Sequence, residues 1–284
     1  MSPDEIIGQL ISESLSRTAR RPLFVGLCGA QGSGKSTIAQ ALAARFPRCA
    51  TVSLDDLYLT RAERIGLSRD THPLFATRGV PGTHDIALGL ATFDALAEGL
   101  PVRLPRFDKG ADDRAPPDQW PLAPAPCDLV LFEGWCVGAV PQAEDALAQP
   151  VNALERLKDS EGRWRKEVNT ALGGAYQTLF ARLDILILLA APDWETVGHW
   201  REEQEARLRE NAPNALGLMS KAAVARFVAH YERLSRHVLD EMPGRADLVL
   251  WLNQDRSCAR GQRSTLGSVG GVRSSNGSEA LRLE

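Results

Sequence analysis

No stretch of this chain is apolar for long enough to cross a membrane. The longest, Leu183 to Ala191, has about half the residues a span requires, and Pro192 ends it. A basic leader is missing too: Asp4 and Glu5 stand where a signal peptide would carry cations. The chain as a whole has no excess of cations. With a formal net charge of −3, no phosphate-neutralising surface for nucleic acid is expected. The five cysteines (Cys28, Cys49, Cys127, Cys136, Cys258) form no C-x-x-C pair and have no histidine at zinc-like spacing, which suits reduced, buried thiols. The guanine-reading string N-K-x-D is also lacking. Asn253-Gln254-Asp255 has neither the lysine nor the spacing, and no D-x-x-G follows a strand. These absences point to a soluble, cytoplasmic protein with neither a membrane nor a nucleic-acid partner, and they count against a GTP-driven switch.

What is present suits one large α/β domain: 284 residues, 44% of them hydrophobic. Apolar runs recur at Leu23–Cys28, Ala50–Leu54, Asp128–Phe132, Asp184–Leu189 and Asp247–Leu252. None alternates, as expected of strands buried on both faces of a parallel sheet. Helical patterns separate them at Ser36–Phe46, Ile86–Glu98, around Val168–Ala181, at Trp194–Glu210 and at Lys221–Leu239. The expected fold is a doubly wound parallel sheet flanked by helices, with ligands at the C-terminal strand ends. Residues 99–126, rich in proline, read as a structured loop. From Asp255 to Glu284 the chain is rich in Ser, Gly and Arg and reads as a disordered tail beyond a 1–254 domain.

The first apolar run ends in Gly29-Ala30-Gln31-Gly32-Ser33-Gly34-Lys35-Ser36-Thr37, a G-x-x-x-x-G-K-[ST] string between a strand and a helix. Glycines let the backbone curl so that its N–H groups converge on phosphate oxygens, and the helix N-terminus adds positive potential. Lys35 reaches the β/γ-phosphates and the Ser36 hydroxyl can ligate Mg²⁺. A nucleoside triphosphate site is expected here.

Carboxylates stand at two other strand ends. Asp55, in Ser53-Leu54-Asp55-Asp56-Leu57-Tyr58, lies where a base could take the proton of an attacking hydroxyl, although an Asp pair can equally cap a helix. Glu133, in Leu131-Phe132-Glu133-Gly134-Trp135, is placed to bind Mg²⁺ through water or to orient the acceptor. Arg78-Gly79-Val80-Pro81-Gly82-Thr83-His84-Asp85 could clamp a small polar acceptor, with Arg78 holding an anionic group; Asp85 could equally be only an N-cap. A second cluster, Pro105-Arg106-Phe107-Asp108-Lys109, adds two cations and a carboxylate. In Trp200-Arg201-Glu202-Glu203-Gln204-Glu205-Ala206-Arg207-Leu208-Arg209 the charges read as a solvated face or as arginines on a lid over phosphates.

Taken together, GAQGSGKST, SLDDLYLT, RGVPGTHD, LPRFDK, LFEGW and HWREEQEARL…MS…FVAHYERL resemble the D-glycerate 3-kinases of plants, with their fungal and bacterial relatives. That family lies within the phosphoribulokinase, uridine kinase and pantothenate kinase group of P-loop kinases. The resemblance runs from Val25 to Leu239 and implies a P-loop kinase fold with a helical lid, in which ATP and Mg²⁺ phosphorylate the 3-hydroxyl of D-glycerate. By similarity to uridine kinases, Asp55 to Tyr58 supplies the base, Pro81 to Asp85 looks like their P-D-x-F-D loop, and Pro105 to Asp108 like their P-x-Y-D segment. It implies Lys35, Asp55 and Glu133 as catalytic residues and Gly29 to Thr37 with Arg201 as the ATP site. Asp55, Tyr58, Arg78, Thr83, His84, Asp85, Arg106, Asp108 and Lys109 would face the acceptor, with Ser36 and Glu133 at Mg²⁺. A nucleoside, pantothenate or a sugar remain alternative acceptors, and a non-catalytic ATP-binding protein is a further alternative.

Overall fold

A computed structural model describes residues 1–211, 220–264 and 278–281. Helix α1 (Pro3–Arg17) begins at a capping box between Ser2 and Glu5. Strand β1 (Leu23–Gly29) leads through the glycine-rich loop into α2 (Lys35–Arg45), and β2 (Cys49–Ser53) into a 3₁₀ turn, Leu54–Leu57. Next come α3 (Arg61–Asp70), α4 (Ile86–Ala97) and a small hairpin of β3 (Phe107–Asp108) with β4 (Asp113–Arg114). Strand β5 (Leu129–Gly134) is followed by α5 (Ala153–Lys158), α6 (Arg163–Ala171), a π-helical turn over Leu172–Tyr176, and α7 (Gln177–Phe180). Strand β6 (Ile185–Ala190), α8 (Trp194–Asn211), α9 (Lys221–Val228), α10 (Glu232–Glu241) and β7 (Leu248–Leu252) complete the alternation. The one helical pattern read over Lys221–Leu239 is thus two helices, and the break at Ala229–Tyr231 turns Tyr231 inward.

Strand order is β2-β5-β1-β6-β7, parallel throughout, with registers such as Leu23↔Leu129 and Val25↔Ile185. Alternation within each run divides two cores. Leu23, Val25, Leu27, Leu131 and Ile187 face α1, α2 and α8, where Ile7, Ile11, Leu42, Val197 and Trp200 wait. Phe24, Val130, Phe132, Leu186 and Leu188 face α4, α7 and α10 with Phe93, Leu96, Leu179 and Val238. Both faces being dry explains why the strands show no polar alternation. Because β2 and β5 lie on one side of β1 and β6 and β7 on the other, a crevice opens at its C-terminal end, where ligands of such sheets bind.

The expected tail does not begin where it was placed. Strand β8 (Cys258–Ser264) pairs antiparallel with β7 (Leu248↔Arg263, Leu250↔Gly261), and β9 (Ser278–Leu281) pairs with β8; residues 265–277 and 282–284 lie outside the described residues. Pairing uses backbone groups that β7 would otherwise leave unpaired, so a Ser/Gly/Arg-rich segment can join without burying much apolar surface. Arg263 adds an ion pair to Glu13 of α1 at 2.7 Å. Among the described residues, no helix is long and apolar enough to cross a membrane.

Candidate active site

The loop between β1 and α2 has the shape its sequence demands. Gly32 and Gly34 both take positive φ, +77° and +88°. At Gly32 space forbids a side chain as well, since a Cβ would sit 2.5 Å from Trp200 Cβ. The Lys35 ammonium folds back over the loop, 3.5 Å from the Ala30 carbonyl. Ser33 is buried; its Oγ and the Oε1 of Gln31 have no hydrogen-bond partner among the described residues. Ser36 and Thr37 lie on the exposed first turn of α2.

Glu133, at the end of the adjacent β5, is buried beside this loop. Its Oε1 accepts from Ser53 Oγ at 2.8 Å and from Ser36 Oγ at 3.3 Å, while its Oε2 is enclosed without a partner. A serine hydroxyl facing a carboxylate with an unused oxygen is a hard-oxygen set that fits Mg²⁺ bound mainly by phosphates and water. Among the described residues no group of three or more His, Cys, Asp or Glu gathers to hold a metal unaided.

On the other side of the crevice, the 3₁₀ turn after β2 sends its two aspartates apart. Asp55 accepts from Tyr58 Oη at 2.9 Å and from Lys109 Nζ at 2.6 Å. Burial pushes this carboxyl up, but Lys109 and Lys35, with the two hydrogen bonds, outweigh it and hold the group well below the ordinary carboxylate range. Asp56 instead accepts from the Phe107 N–H at 2.9 Å and from Arg106 at 3.2 Å, anchoring the hairpin; burial pushes its carboxyl up. Arg106 is thus spent on Asp56. Asp108 is exposed and accepts from the N–H groups of Gly110 and Ala111, shaping the hairpin turn. Of that cluster only Lys109 reaches Asp55.

The loop from Arg78 to Asp85 divides in the same way. Thr83 is fully buried, accepting from Gly79 N–H and donating to the Val80 carbonyl, so its hydroxyl holds the loop's shape. Asp85 caps α4 through the Leu88 N–H and pairs with Arg114 at 3.0 Å. Arg78 binds Asp112 through Nη1 and lies over the Phe107 ring, 5.5 Å from its centre. Asp112 also meets the buried Arg64 at 2.9 Å. His84 is buried, stacked on Tyr58 with centroids 4.6 Å apart, and burial pushes its imidazole down to about 3. Gly79 is obligatory: at φ +136°, a Cβ would lie 2.0 Å from the Tyr231 hydroxyl, which donates to the Arg78 carbonyl.

Arg201 is not on a solvated face. It pairs with buried Glu205 at 3.1 Å and lies over the Phe227 ring, whereas Arg207 and Arg209 are exposed.

Several residues that the sequence did not single out complete the site. Trp135 donates to the Gly79 carbonyl at 2.9 Å and meets the Tyr231 ring edge-on. Beyond β7, Arg256 donates to the Gly32 carbonyl at 2.6 Å and to Glu203 at 2.8 Å, with its guanidinium over Trp200. Trp200 in turn donates to the Gln254 carbonyl at 2.6 Å. Arg256 fell in the presumed tail; its position just past an apolar strand that ends beside the loop was the available signal. Truncation after Asn253 should therefore lower the melting temperature by roughly 5–10 °C, the shift of about 2–3 kcal/mol in a domain this size. A thermal denaturation scan of the shortened chain checks this; an unchanged midpoint would mean that β8 and Arg256 add nothing to stability.

No protein-family model matches the chain. It is 36% identical over 249 residues to an uncharacterized kinase of Schizosaccharomyces pombe, an alignment covering 81% of this chain and 87% of that one. The chloroplastic D-glycerate 3-kinase of Arabidopsis thaliana is 31% identical over 224 residues, 74% of this chain and 46% of the plant protein, so the chain spans about half of that relative's length. Among solved structures, the D-glycerate 3-kinase of Cryptococcus neoformans var. grubii superposes with a TM-score of 0.76 at 24% identity, over 93% of this chain and 99% of that one. That likeness confirms the P-loop kinase fold with its parallel sheet between helical layers.

Proposed function

The chain belongs to the P-loop kinase family that includes the fission-yeast kinase and the plant D-glycerate 3-kinase, and from that premise we propose that its acceptor is the 3-hydroxyl of D-glycerate. ATP-dependent phosphoryl transfer to a hydroxyl comes with the family; the acceptor and the residue roles are inferred from the site. One observation carries the acceptor. The Lys109 ammonium lies within a hydrogen bond of Asp55, so a cation stands beside the carboxylate that faces the attacking hydroxyl. An acceptor carrying its own negative charge a short distance from its reacting hydroxyl suits that pairing.

In this reading the loop from Gly29 to Thr37 cradles the triphosphate with backbone N–H groups, and Lys35 neutralises charge on the transferring group. Ser36 and Glu133 would hold Mg²⁺, which when bound shields the charge between the phosphates. Asp55, kept ionised by Lys109 and Tyr58, orients the 3-hydroxyl and takes its proton as the oxygen attacks; geometry matters more here than a raised pKa. Arg78, steadied by Asp112 and Phe107, offers its remaining edge to the acceptor carboxylate in a two-pronged contact. Arg201 belongs to the lid formed by α8, close enough to Tyr231 to affect its titration, and shields the phosphates from water on closure.

The test is ATP consumption measured separately with D-glycerate, uridine, pantothenate and ribulose 5-phosphate. Turnover with D-glycerate well above the others is the expected result. Robust turnover of uridine with none of D-glycerate would overturn the acceptor while leaving the kinase intact.

A further inference from the structure

One buried histidine has a protonation pattern that its neighbours dictate. Tyr176 closes the π-helical turn over Leu172–Tyr176, where Gly174 leaves helical geometry at φ −92°, ψ −121°. Such turns re-aim a side chain and are frequent at functional sites. Here the Tyr176 hydroxyl is brought under the loop of Gly79 to Asp85. Its oxygen accepts from the Gly82 N–H at 2.9 Å. With the Gly82 N–H on its oxygen, and with no other acceptor within hydrogen-bond distance among the described residues, its single proton goes to the His84 Nδ1 at 2.6 Å. A neutral imidazole that accepts at Nδ1 carries its proton on Nε2. That Nε2 is enclosed without a partner among the described residues, on a ring stacked against Tyr58, whose hydroxyl holds Asp55. A buried N–H with nothing to donate to is costly, and native structures rarely keep one without use.

We propose that Tyr176 is a positioning residue that fixes His84 as the Nε2–H tautomer, and that this N–H donates to an acceptor oxygen other than the attacking one. A donor on the attacking oxygen would drain the lone pair that Asp55 is placed to expose, so the neighbouring 2-hydroxyl or the carboxylate is the partner. Burial keeps the imidazole neutral, so the donor is offered without a competing charge. The inference rests on the acceptor-site reading above, and deepens it by naming the group that reads the acceptor's second oxygen.

Long-range ¹H–¹⁵N correlation on the full chain labelled at histidine reads the tautomer directly, with the His84→Gln spectrum identifying the resonances. Expected is a protonated Nε2 with an unprotonated Nδ1. In Tyr176→Phe this single pattern should be lost, with KM for D-glycerate raised about tenfold and kcat and the KM for ATP little changed. His84→Gln, which keeps a donor amide, should hold KM closer to the wild type than His84→Phe does. A wild-type Nδ1–H pattern overturns the proposal, as does a Tyr176→Phe enzyme with wild-type KM, which would mean that Nε2 serves an internal water. Should Tyr176→Phe fail to fold, the wild-type spectrum and the two His84 variants decide the matter. If the wild type ignores D-glycerate, the acceptor assignment fails but the spectrum still tests the tautomer, and KM is then read on whichever acceptor is phosphorylated.

Discussion

Replacing Asp55 with asparagine should leave ATP affinity near that of the wild type while turnover falls by about 10²–10⁴, the worth of a positioned general base. The substitution keeps the shape of the 3₁₀ turn, and the asparagine oxygen can still accept from Tyr58 or Lys109, so folding is expected to survive. What it cannot do is take a proton. The Lys109 ammonium would meanwhile lose its nearest counter-charge, since Asp55 is the main cause of its raised pKa. Steady-state turnover beside nucleotide binding by calorimetry separates the two effects. Full activity in the variant would remove Asp55 from the chemistry and leave it as a structural partner of Lys109 and Tyr58.

A loss of about 10²–10³ in turnover is expected of Lys35→Ala, through removal of one preorganised cation from the transferring phosphoryl group. Lys35 sits in the first turn of α2, and among the described residues its ammonium makes one hydrogen bond, a long one to the Ala30 carbonyl. Little of the fold therefore depends on it, and the melting temperature should stay close to the wild type. Arg201→Ala should lower turnover less in the same assay, because Arg201 is committed to Glu205 in this conformation. Turnover near the wild type in Lys35→Ala would detach the phosphate reading from the loop.

The strands were legible because burial on both faces leaves one kind of residue to place: Leu23 to Leu27 and Ile185 to Leu189 have no solvent side to encode. The glycine-rich loop was legible because its glycines answer to backbone geometry, with Gly32 and Gly34 at positive φ, and its fixed spacing before a helix needs no knowledge of distant neighbours. Partner choice was not legible. Arg106 and Lys109 belong to one short cluster, yet one goes to Asp56 and the other to Asp55, and the two-residue strands that sort them carry no periodicity. Thr83 and Asp108 looked like ligand groups, while their oxygens satisfy nearby N–H groups. Arg64, which nothing in the sequence singled out, is buried and donates to the carbonyls of Leu59, Ala76 and Asp112. Strand β8 was missed for a different reason. Composition measures what a segment can bury, and this one is held by the backbone of its neighbour.

The bond from Arg256 to the Gly32 carbonyl joins positions 224 apart in the chain, and β1 is flanked by β5 and β6, both made long after it. While the protein is being synthesised, the phosphate loop emerges early with both edges of its strand bare. No local hairpin can shelter them, because parallel neighbours must wait for the intervening helices. The nucleotide end is completed only when Arg256, 224 positions after Gly32, has left the ribosome. Until then the nascent chain exposes apolar strands with unpaired edges, the condition in which aggregation competes with folding.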